Sequence, residues 1–148
     1  GRPFLGEGCS TLLQTEKIEQ GRIGELSTLS LAHIGDGVFE LLARTHVAAE
    51  GECRVEQLHR RTVALVSAPA QARAAERLLP CLTPEETAVY RRGRNAKPKS
   101  APAHATPAEY ASATGLETLF GYLYLSGRAE RVYALWEKIL EGRQGEEA

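Results

Sequence analysis

An aspartate lies between two glycines in a strongly periodic apolar segment, Ile34-Gly35-Asp36-Gly37-Val38-Phe39-Glu40. Each glycine costs a helix about 1 kcal/mol relative to alanine, so a compensating role is expected. A missing side chain lets another backbone, a phosphate or a ligand come close. Glu40 follows Asp36 by one turn, so the two carboxylates share a helix face. Two interpretations are about equally open: Asp36 is a ligand in a site, or it is exposed beside glycines that serve helix packing.

Glu117 is a second acid in unusual surroundings. It lies in segment 115–125, which is apolar nearly all round and predicts a buried helix. A buried carboxylate is costly unless it is paired or binds a metal. Mg²⁺ prefers one or two carboxylates and completes its shell with waters and substrate phosphate oxygens. Asp36 and Glu117 on two core helices would suit such a site, and a salt bridge from Glu117 to an Arg or His is the alternative.

Segment 91–99 holds five cations and no acid. Its Gly and Pro predict an irregular loop suited to phosphate contacts, and a solvated flexible loop is the alternative. It contains no aromatic residue, which disfavours stacking on single-stranded bases. His59 lies near Arg54 and beside Arg60, so it is a candidate for a phosphate contact or for a structural hydrogen bond.

Several classes of site are disfavoured by the motifs that the sequence lacks. No HxxxH or HExxH spacing occurs, which disfavours zinc hydrolase chemistry, and GxSxG, GxxxxGKS/T and GxGxxG are also absent. Cys9, Cys53 and Cys81 are odd in number and form no CxxC pair. This pattern predicts reduced thiols in a cytosolic protein rather than a disulfide framework or a cysteine zinc site.

The length of 148 residues and the 43% hydrophobic content fit one compact domain. No apolar run is long enough for a membrane span and no secretory signal is evident, so a cytoplasmic protein without a membrane partner is expected. The net charge is −1, but residues 54–99 hold ten Lys or Arg against four Glu. A local basic surface on a nearly neutral protein is therefore predicted, with solvated helix faces as the alternative.

Apolar periodicity and capping signals predict an all-α fold of about six to seven helices. Thr83 and Thr106 each precede a Pro and stand three residues before a Glu, which is a capping-box signature. The linker at 94–106 is longer than a minimal connector, so it is either functional or mobile. The predicted helices span about 27–49, 55–66, 67–79, 83–93, 106–125 and 129–141, with a short additional helix around 12–19.

Blocks of the chain resemble the ribonuclease III family, in the family's order. Segment 31–40 resembles the helix that carries its Gly-Asp signature, and segment 116–125 resembles its second acidic helix, with Glu117 at a metal-ligand position. Three further blocks are closest to the Mini-III branch: Leu-His-Arg at 58–60, Val-Ser-Ala-x-Ala-Gln-Ala at 66–72, and Arg-Arg-Gly-Arg-Asn-Ala-Lys at 91–97.

The likeness covers about residues 26–141. It implies a ribonuclease III-like catalytic domain at 25–142, between an N-terminal extension of uncertain structure at 1–24 and a C-terminal tail at 143–148. Mini-III enzymes lack the family's separate double-stranded-RNA-binding domain, and none is expected after the last predicted helix.

The resemblance implies a homodimer in which each site cuts one strand of double-stranded RNA. Asp36 and Glu117 would hold Mg²⁺, for which Mn²⁺ can substitute, and the activated water would leave a 5′-phosphate and a 3′-hydroxyl. Mini-III enzymes are best known for trimming large-subunit ribosomal RNA precursors, which implies a role in ribosomal RNA maturation. The expected contacts to the RNA backbone are His59, Arg91, Arg92, Arg94, Asn95, Lys97 and Lys99.

The chain departs from the fuller family signature at two acids. Ala32 stands four residues before Asp36, and Thr114 stands three residues before Glu117, where the family usually has carboxylates. More metal positions would then be filled by water or phosphate, and Glu40 is a provisional third ligand unless it pairs with an Arg. Ala111 also replaces an Arg that tends to follow the family's tyrosine, so one RNA contact is in question.

The missing carboxylates at positions 32 and 114 motivate an alternative function. A non-catalytic ribonuclease III-like domain would bind structured RNA or assemble ribosomal particles. A helical DNA-binding module is a weaker third hypothesis, because no helix combines a basic base-reading face with a helix-turn-helix partner.

Overall fold

The computed structural model of the chain describes residues 14, 16, 18–51, 54–96 and 104–147. Within these ranges the chain forms seven α-helices and no strand, which confirms the all-α prediction. A 3₁₀ turn at Leu79–Cys81 follows the fourth helix. The helices are α1 (Gln20–Glu25), α2 (Thr28–Ala49), α3 (Val55–Val66), α4 (Ala68–Leu78), α5 (Pro84–Asn95), α6 (Pro107–Leu125) and α7 (Ala129–Glu147).

Capping residues begin the helices where the sequence predicts. The backbone N–H of Thr83 donates to Oε1 of Glu86 (2.9 Å), and the N–H of Glu86 donates to Oγ1 of Thr83 (3.1 Å). Thr106 and Glu109 form the same reciprocal pair at 2.9 and 3.1 Å. Ser67 caps α4 by accepting from the N–H of Ala70. These bonds satisfy helix-start N–H groups, so both predicted capping boxes are confirmed.

The helix ends differ from the predictions where a glycine contacts another helix. α5 continues past Gly93 to Asn95, and α7 continues past Gly142 to Glu147. A Cβ on Gly93 would meet Thr118 of α6, and a Cβ on Gly142 would meet the side chain of Arg77. Tertiary contact therefore fills the space that a side chain would occupy, and the helix does not end there.

The short helix predicted around 12–19 is wrong for the residues that the structure describes. Positions 14, 16, 18 and 19 are not helical, and the remaining positions of that segment lie outside the described residues. The first helix, α1, begins instead at Gln20. It is anchored by Ile23, which is buried against Leu31 and Leu125.

α6 is the central helix of the fold, as its apolar composition predicts. It packs against α2, α4, α5 and α7. Phe120 of α6 and Phe39 of α2 are fully buried, with ring centroids 5.4 Å apart. Trp136 of α7 completes the cluster, 5.2 Å from Phe39 in an edge-on orientation. Aromatic clusters of this kind bury large apolar areas and fix the helices against one another.

Glycines let two helices approach the backbone of α6 closely. A Cβ on Gly35 of α2 would overlap the carbonyl oxygen of Glu117, and a Cβ on Gly121 would overlap the carbonyl oxygen of Leu31. On another side of α6, a Cβ on Gly115 would stand 2.8 Å from the carbonyl oxygen of Tyr90 in α5. The axial positions of α2 and α5 on α6 therefore depend on these missing side chains.

A buried ion pair joins the start of α5 to the start of α7. Nε and Nη2 of Arg131 each donate to the carboxylate of Glu86 at 2.8 Å, and Nη2 also donates to the carbonyl of Cys81 at 3.0 Å. The Arg131 hydrogen bond lowers the pKa of Glu86 against the opposing effect of its burial. A bidentate pair of this type fixes orientation as well as charge.

No helix among the described residues has both the length and the apolar character that crossing a membrane requires.

Candidate metal centre

The crossing of α2 and α6 brings Asp36 and Glu117 together. Gly35 contacts the backbone of Glu117 directly, so the residue after Gly35 is placed beside the Glu117 side chain. The two carboxyl groups are near enough to share a hydrogen bond when one of them is protonated. Two residues that are 81 positions apart in the chain thus form one acidic pair.

The two acids differ in their surroundings. Asp36 is exposed to solvent, whereas Glu117 is half-buried on the central helix. Burial, followed by the neighbouring Asp36 carboxylate, raises the pKa of Glu117 to about 8, while the side-chain amide of Gln71 acts in the opposite direction. Burial and the like charge of Asp36 both disfavour ionisation of Glu117, so a cation beside the two carboxylates would stabilise their ionised forms.

No basic side chain of the described residues forms an ion pair with Glu117. Glu117 forms no ion pair with any Arg, Lys or His of the described ranges, so the predicted alternative of a salt bridge is not seen there. No group of three or more His, Cys, Asp or Glu side chains converges there either. A site with two carboxylates fits Mg²⁺, which uses one or two of them and keeps several waters.

The raised pKa of Glu117 predicts a pH-dependent stability for the metal-free protein. The folded state keeps a proton on Glu117 up to about pH 8, whereas the unfolded chain releases it near the ordinary glutamate pKa of 4.5. The stabilisation that this proton provides is therefore complete below that lower value and is lost as the pH rises through about 8. We expect the free energy of unfolding in EDTA to fall by a few kcal/mol across this window.

Urea unfolding of wild type and Glu117→Gln at several pH values measures this effect. The amide cannot ionise, so Glu117→Gln should lose less stability between the two ends of the window, although the other titrating groups are unchanged. Parallel pH profiles for the two proteins would contradict the prediction.

Glu40, the provisional third ligand, has a partner on its own helix. Its Oε1 accepts from Nε of Arg44 at 3.0 Å and lies 2.9 Å from Nη2 of the same residue. The structure thus shows the pairing with an Arg that the sequence offered as the alternative. Such i,i+4 pairs on a helix surface are weak, so the contact does not prevent Glu40 from moving toward a cation.

The two positions that lack the usual carboxylates are packed into the interior. Ala32 is 7% exposed and Thr114 is 5% exposed. The Thr114 hydroxyl donates to the carbonyl of Tyr110 at 3.0 Å, inside its own helix. Neither residue offers an oxygen to the acidic pair, so Asp36 and Glu117 are the carboxylates that the structure brings together.

The basic segment 91–99 begins as the last turn of α5, so Arg94 and Asn95 are helical and do not belong to the predicted irregular loop. The exposed side chains of this turn are Arg91, Arg92, Arg94 and Asn95. The helix persists here because Gly93 packs against Thr118 and Gly115 of α6. Cations at a helix C-terminus are also favoured by the helix dipole.

Packing brings this turn to the level of the acidic pair. Thr118, which Gly93 contacts, directly follows Glu117, and Nη2 of Arg92 lies 3.5 Å from Oγ1 of Thr28 at the start of α2. The guanidinium of Arg94 lies over the ring of Tyr90. Exposed arginines therefore border both helices that carry the carboxylates. Lys97, Lys99 and most of the linker at 94–106 lie outside the described residues.

His59 is exposed on α3, and no contact in the described ranges links it to the acidic pair. Another surface cleft, lined by residues that include His46, Glu50 and Arg61, lies at the C-terminal end of α2. It contains neither Asp36 nor Glu117. The candidate site is therefore defined by the crossing of α2 and α6 rather than by this cleft.

Gln71 of α4 lies near the acidic pair, and the sequence did not single it out. Its side chain is 1% exposed and lies near the Glu117 carboxyl group. A single Gln in an Ala-rich helix carries no spacing signal. The available hint was its place in block 66–72, which resembles a known family as a whole and does not single out this residue.

Comparison with known proteins places the site in a family context. A family model for the ribonuclease III domain matches residues 29–128. The chain is 50% identical to the Mini-ribonuclease 3 of Symbiobacterium thermophilum, over 72% of this chain and 82% of that protein. It is 41% identical to the Mini-ribonuclease 3 of a Thermoanaerobacter species, over 85% of this chain and 89% of that protein.

The fold also matches a solved structure. A crystal structure of a Fusobacterium nucleatum protein superposes with a TM-score of 0.74 at 28% identity, covering 82% of this chain and 97% of that chain.

Proposed function

Since this chain belongs to the ribonuclease III family and is an endoribonuclease of that class, we propose that it cleaves double-stranded RNA with Mg²⁺. Mn²⁺ is proposed as a substitute metal. The proposed substrate is a large-subunit ribosomal RNA precursor in the cytoplasm, and this part rests on the likeness to Mini-III enzymes. The proposed products carry a 5′-phosphate and a 3′-hydroxyl.

The observation that carries the proposal is the carboxylate pair at the crossing of α2 and α6. Asp36 offers an exposed carboxylate, and Glu117 offers one that burial and its neighbour make costly to ionise alone. A bound Mg²⁺ would act as a Lewis acid and lower the pKa of a water nucleophile. Asp36 would face the substrate, and half-buried Glu117 would hold its oxygen in a fixed direction.

The proposed RNA contacts follow from the exposed cations beside the pair. Arg91, Arg92 and Arg94 are proposed to contact phosphates of the RNA backbone, and Asn95 is proposed to contact a phosphate or a 2′-hydroxyl. Lys97, Lys99 and His59 are proposed to extend this contact along the backbone. A-form RNA is recognised mainly through shape, phosphates and 2′-hydroxyls, so these contacts require no base reading.

A homodimer is part of the proposal. Four of the large apolar side chains that are exposed lie on α2 and α3: Leu29 (44%), Leu41 (46%), Val55 (70%) and Val63 (44%). These two helices pack against each other. Exposed large apolar side chains are candidates for an association surface where they adjoin one another. We propose that a second copy of the chain covers part of this set.

A second candidate function is a domain that binds structured RNA without cutting it. The observation in its favour is that Ala32 and Thr114 are buried and offer no carboxylate. Such a protein would bind double-stranded RNA equally well with and without a divalent metal.

Incubation of the protein with long double-stranded RNA tests both candidates. We expect fragments with Mg²⁺, fragments with Mn²⁺, and none with EDTA, and we expect single-stranded RNA of the same sequence to remain intact. End-labelling of the fragments reports whether the 5′ end carries a phosphate. Binding in a gel shift without any metal-dependent fragment would overturn the proposed nuclease and favour the second candidate.

A further inference from the structure

Gln71 has a buried side-chain amide whose NH₂ group donates no hydrogen bond to any described residue. The residue is 1% exposed, and its Nε2 atom has no hydrogen-bond partner in the described part of the chain. An unsatisfied buried donor destabilises the folded state, so such groups are rare in native interiors and need an explanation.

The position of the amide indicates what it serves. Gln71 lies on α4, and α4 packs along α6, the helix that carries Glu117. Its amide is close enough to the Glu117 carboxyl group to favour the ionised form, although the Nε2 atom does not complete a hydrogen bond. Glu117 therefore has Gln71 on its interior side and Asp36 on its solvent side.

The chemistry of an amide suits this place better than a charged group. A Lys or Arg would neutralise Glu117 and compete with a metal ion, and another acid would add repulsion to a pair that already has too much negative charge. A neutral NH₂ group can donate a hydrogen bond to one carboxylate oxygen without cancelling the negative charge that a metal ion needs. Hydrogen bonds that orient a metal-binding carboxylate in this way typically change metal affinity 10–100-fold.

We propose that Gln71 is a positioning residue whose side-chain amide donates to one oxygen of the ionised Glu117 carboxylate and directs the other oxygen toward Asp36. The hydrogen bond forms fully when Glu117 binds the divalent cation, which satisfies the buried donor. This inference rests on the proposed metal site and deepens it by naming the group that orients the half-buried ligand.

Gln71→Met tests the proposal, with Leu78→Met as its matched control. Methionine keeps an unbranched side chain of similar length in the interior and removes the donor. Leu78 is also fully buried on α4, so the control introduces a methionine two helical turns away from position 71. Three quantities are measured: the Kd for Mn²⁺ of the RNA-free protein from the free-Mn²⁺ electron paramagnetic resonance signal, the Mg²⁺ concentration for half-maximal cleavage, and the Tm in EDTA.

We expect Gln71→Met to raise the Mn²⁺ Kd and the half-maximal Mg²⁺ concentration by about 10–100-fold. Its Tm in EDTA should stay equal to that of wild type or rise, because an unsatisfied buried donor is removed. Leu78→Met should keep the metal affinity of wild type within about twofold, whatever it does to the Tm.

The outcomes separate this role from the metal site itself. If Asp36→Asn loses Mn²⁺ binding while Gln71→Met binds as wild type does, the role of Gln71 is overturned and the metal site stands. A lower Tm for Gln71→Met with an unchanged Mn²⁺ Kd would indicate a purely structural role for Gln71 and would also overturn the proposal. If wild type and Asp36→Asn bind Mn²⁺ equally, the metal site fails and the role of Gln71 fails with it.

Discussion

Asp36→Asn is expected to reduce cleavage of double-stranded RNA by at least about 1000-fold, because loss of a direct ligand should exceed the 10–100-fold effect of an orienting partner. The substitution is isosteric and changes an exposed side chain that makes no ion pair with a described residue. It also removes the negative charge beside Glu117. The fold should therefore remain intact, and the Tm in EDTA should equal or exceed that of wild type.

Single-turnover cleavage with saturating Mg²⁺ measures the loss, and a gel shift in EDTA measures whether RNA binding is retained. Glu137→Gln, which removes an exposed acid on α7, is the matched control and should cleave at the wild-type rate. Glu40→Gln measured alongside decides the provisional ligand, since a loss as large as that of Asp36→Asn would make Glu40 a third ligand. An Asp36→Asn enzyme of full activity would show that Asp36 does not bind the catalytic metal.

Gly35→Ala is expected to destabilise the protein by about 3 kcal/mol or more, which is at the upper end of typical overpacking costs. The added Cβ would overlap the carbonyl oxygen of Glu117, and its neighbours would include the backbone nitrogen of Gly121 at 2.8 Å. These are backbone atoms of a central helix and cannot turn aside as a flexible side chain would. The α2–α6 crossing must open instead, which separates Asp36 from Glu117 as well as lowering the stability.

Gly37→Ala is the matched control on the same helix. A Cβ on Gly37 has no neighbour within 4 Å, so alanine there should be neutral or should stabilise the helix by up to about 1 kcal/mol. Urea unfolding of both variants in EDTA gives the difference directly. Equal stabilities for Gly35→Ala and Gly37→Ala would show that the close approach of α2 to α6 is not set by Gly35.

Gly35 and Gly37 show what the local sequence could and could not predict. The sequence predicts that something compensates for both of them, and it treats them alike. In the structure Gly35 contacts the backbone of Glu117 and Gly37 contacts nothing across the helix surface. Asp36 between them is exposed, as one interpretation held, yet its carboxylate also lies beside that of Glu117, as the other required. The two interpretations were therefore not exclusive.

The sequence by itself determined the all-α class, the capping boxes at Thr83 and Thr106, and the burial of α6. These features depend on interactions among residues a few positions apart, and apolar periodicity and capping chemistry record such interactions directly. The apolar surroundings of Asp36 and Glu117 suggested a shared Mg²⁺ site with alternatives left open, and the family resemblance favoured that site over the alternatives.

Only the tertiary structure decided what surrounds that pair. Which helices cross, and how closely, depends on contacts between residues far apart in the chain, and no periodicity records them. The crossing of α2 and α6 at Gly35 brings Asp36 beside Glu117, and the packing of α4 on α6 places Gln71 near the same carboxyl group. The contact of Gly93 with α6 keeps α5 helical, so that its arginines border α6. The acids that the sequence singled out thus become a site because of packing that the sequence does not display.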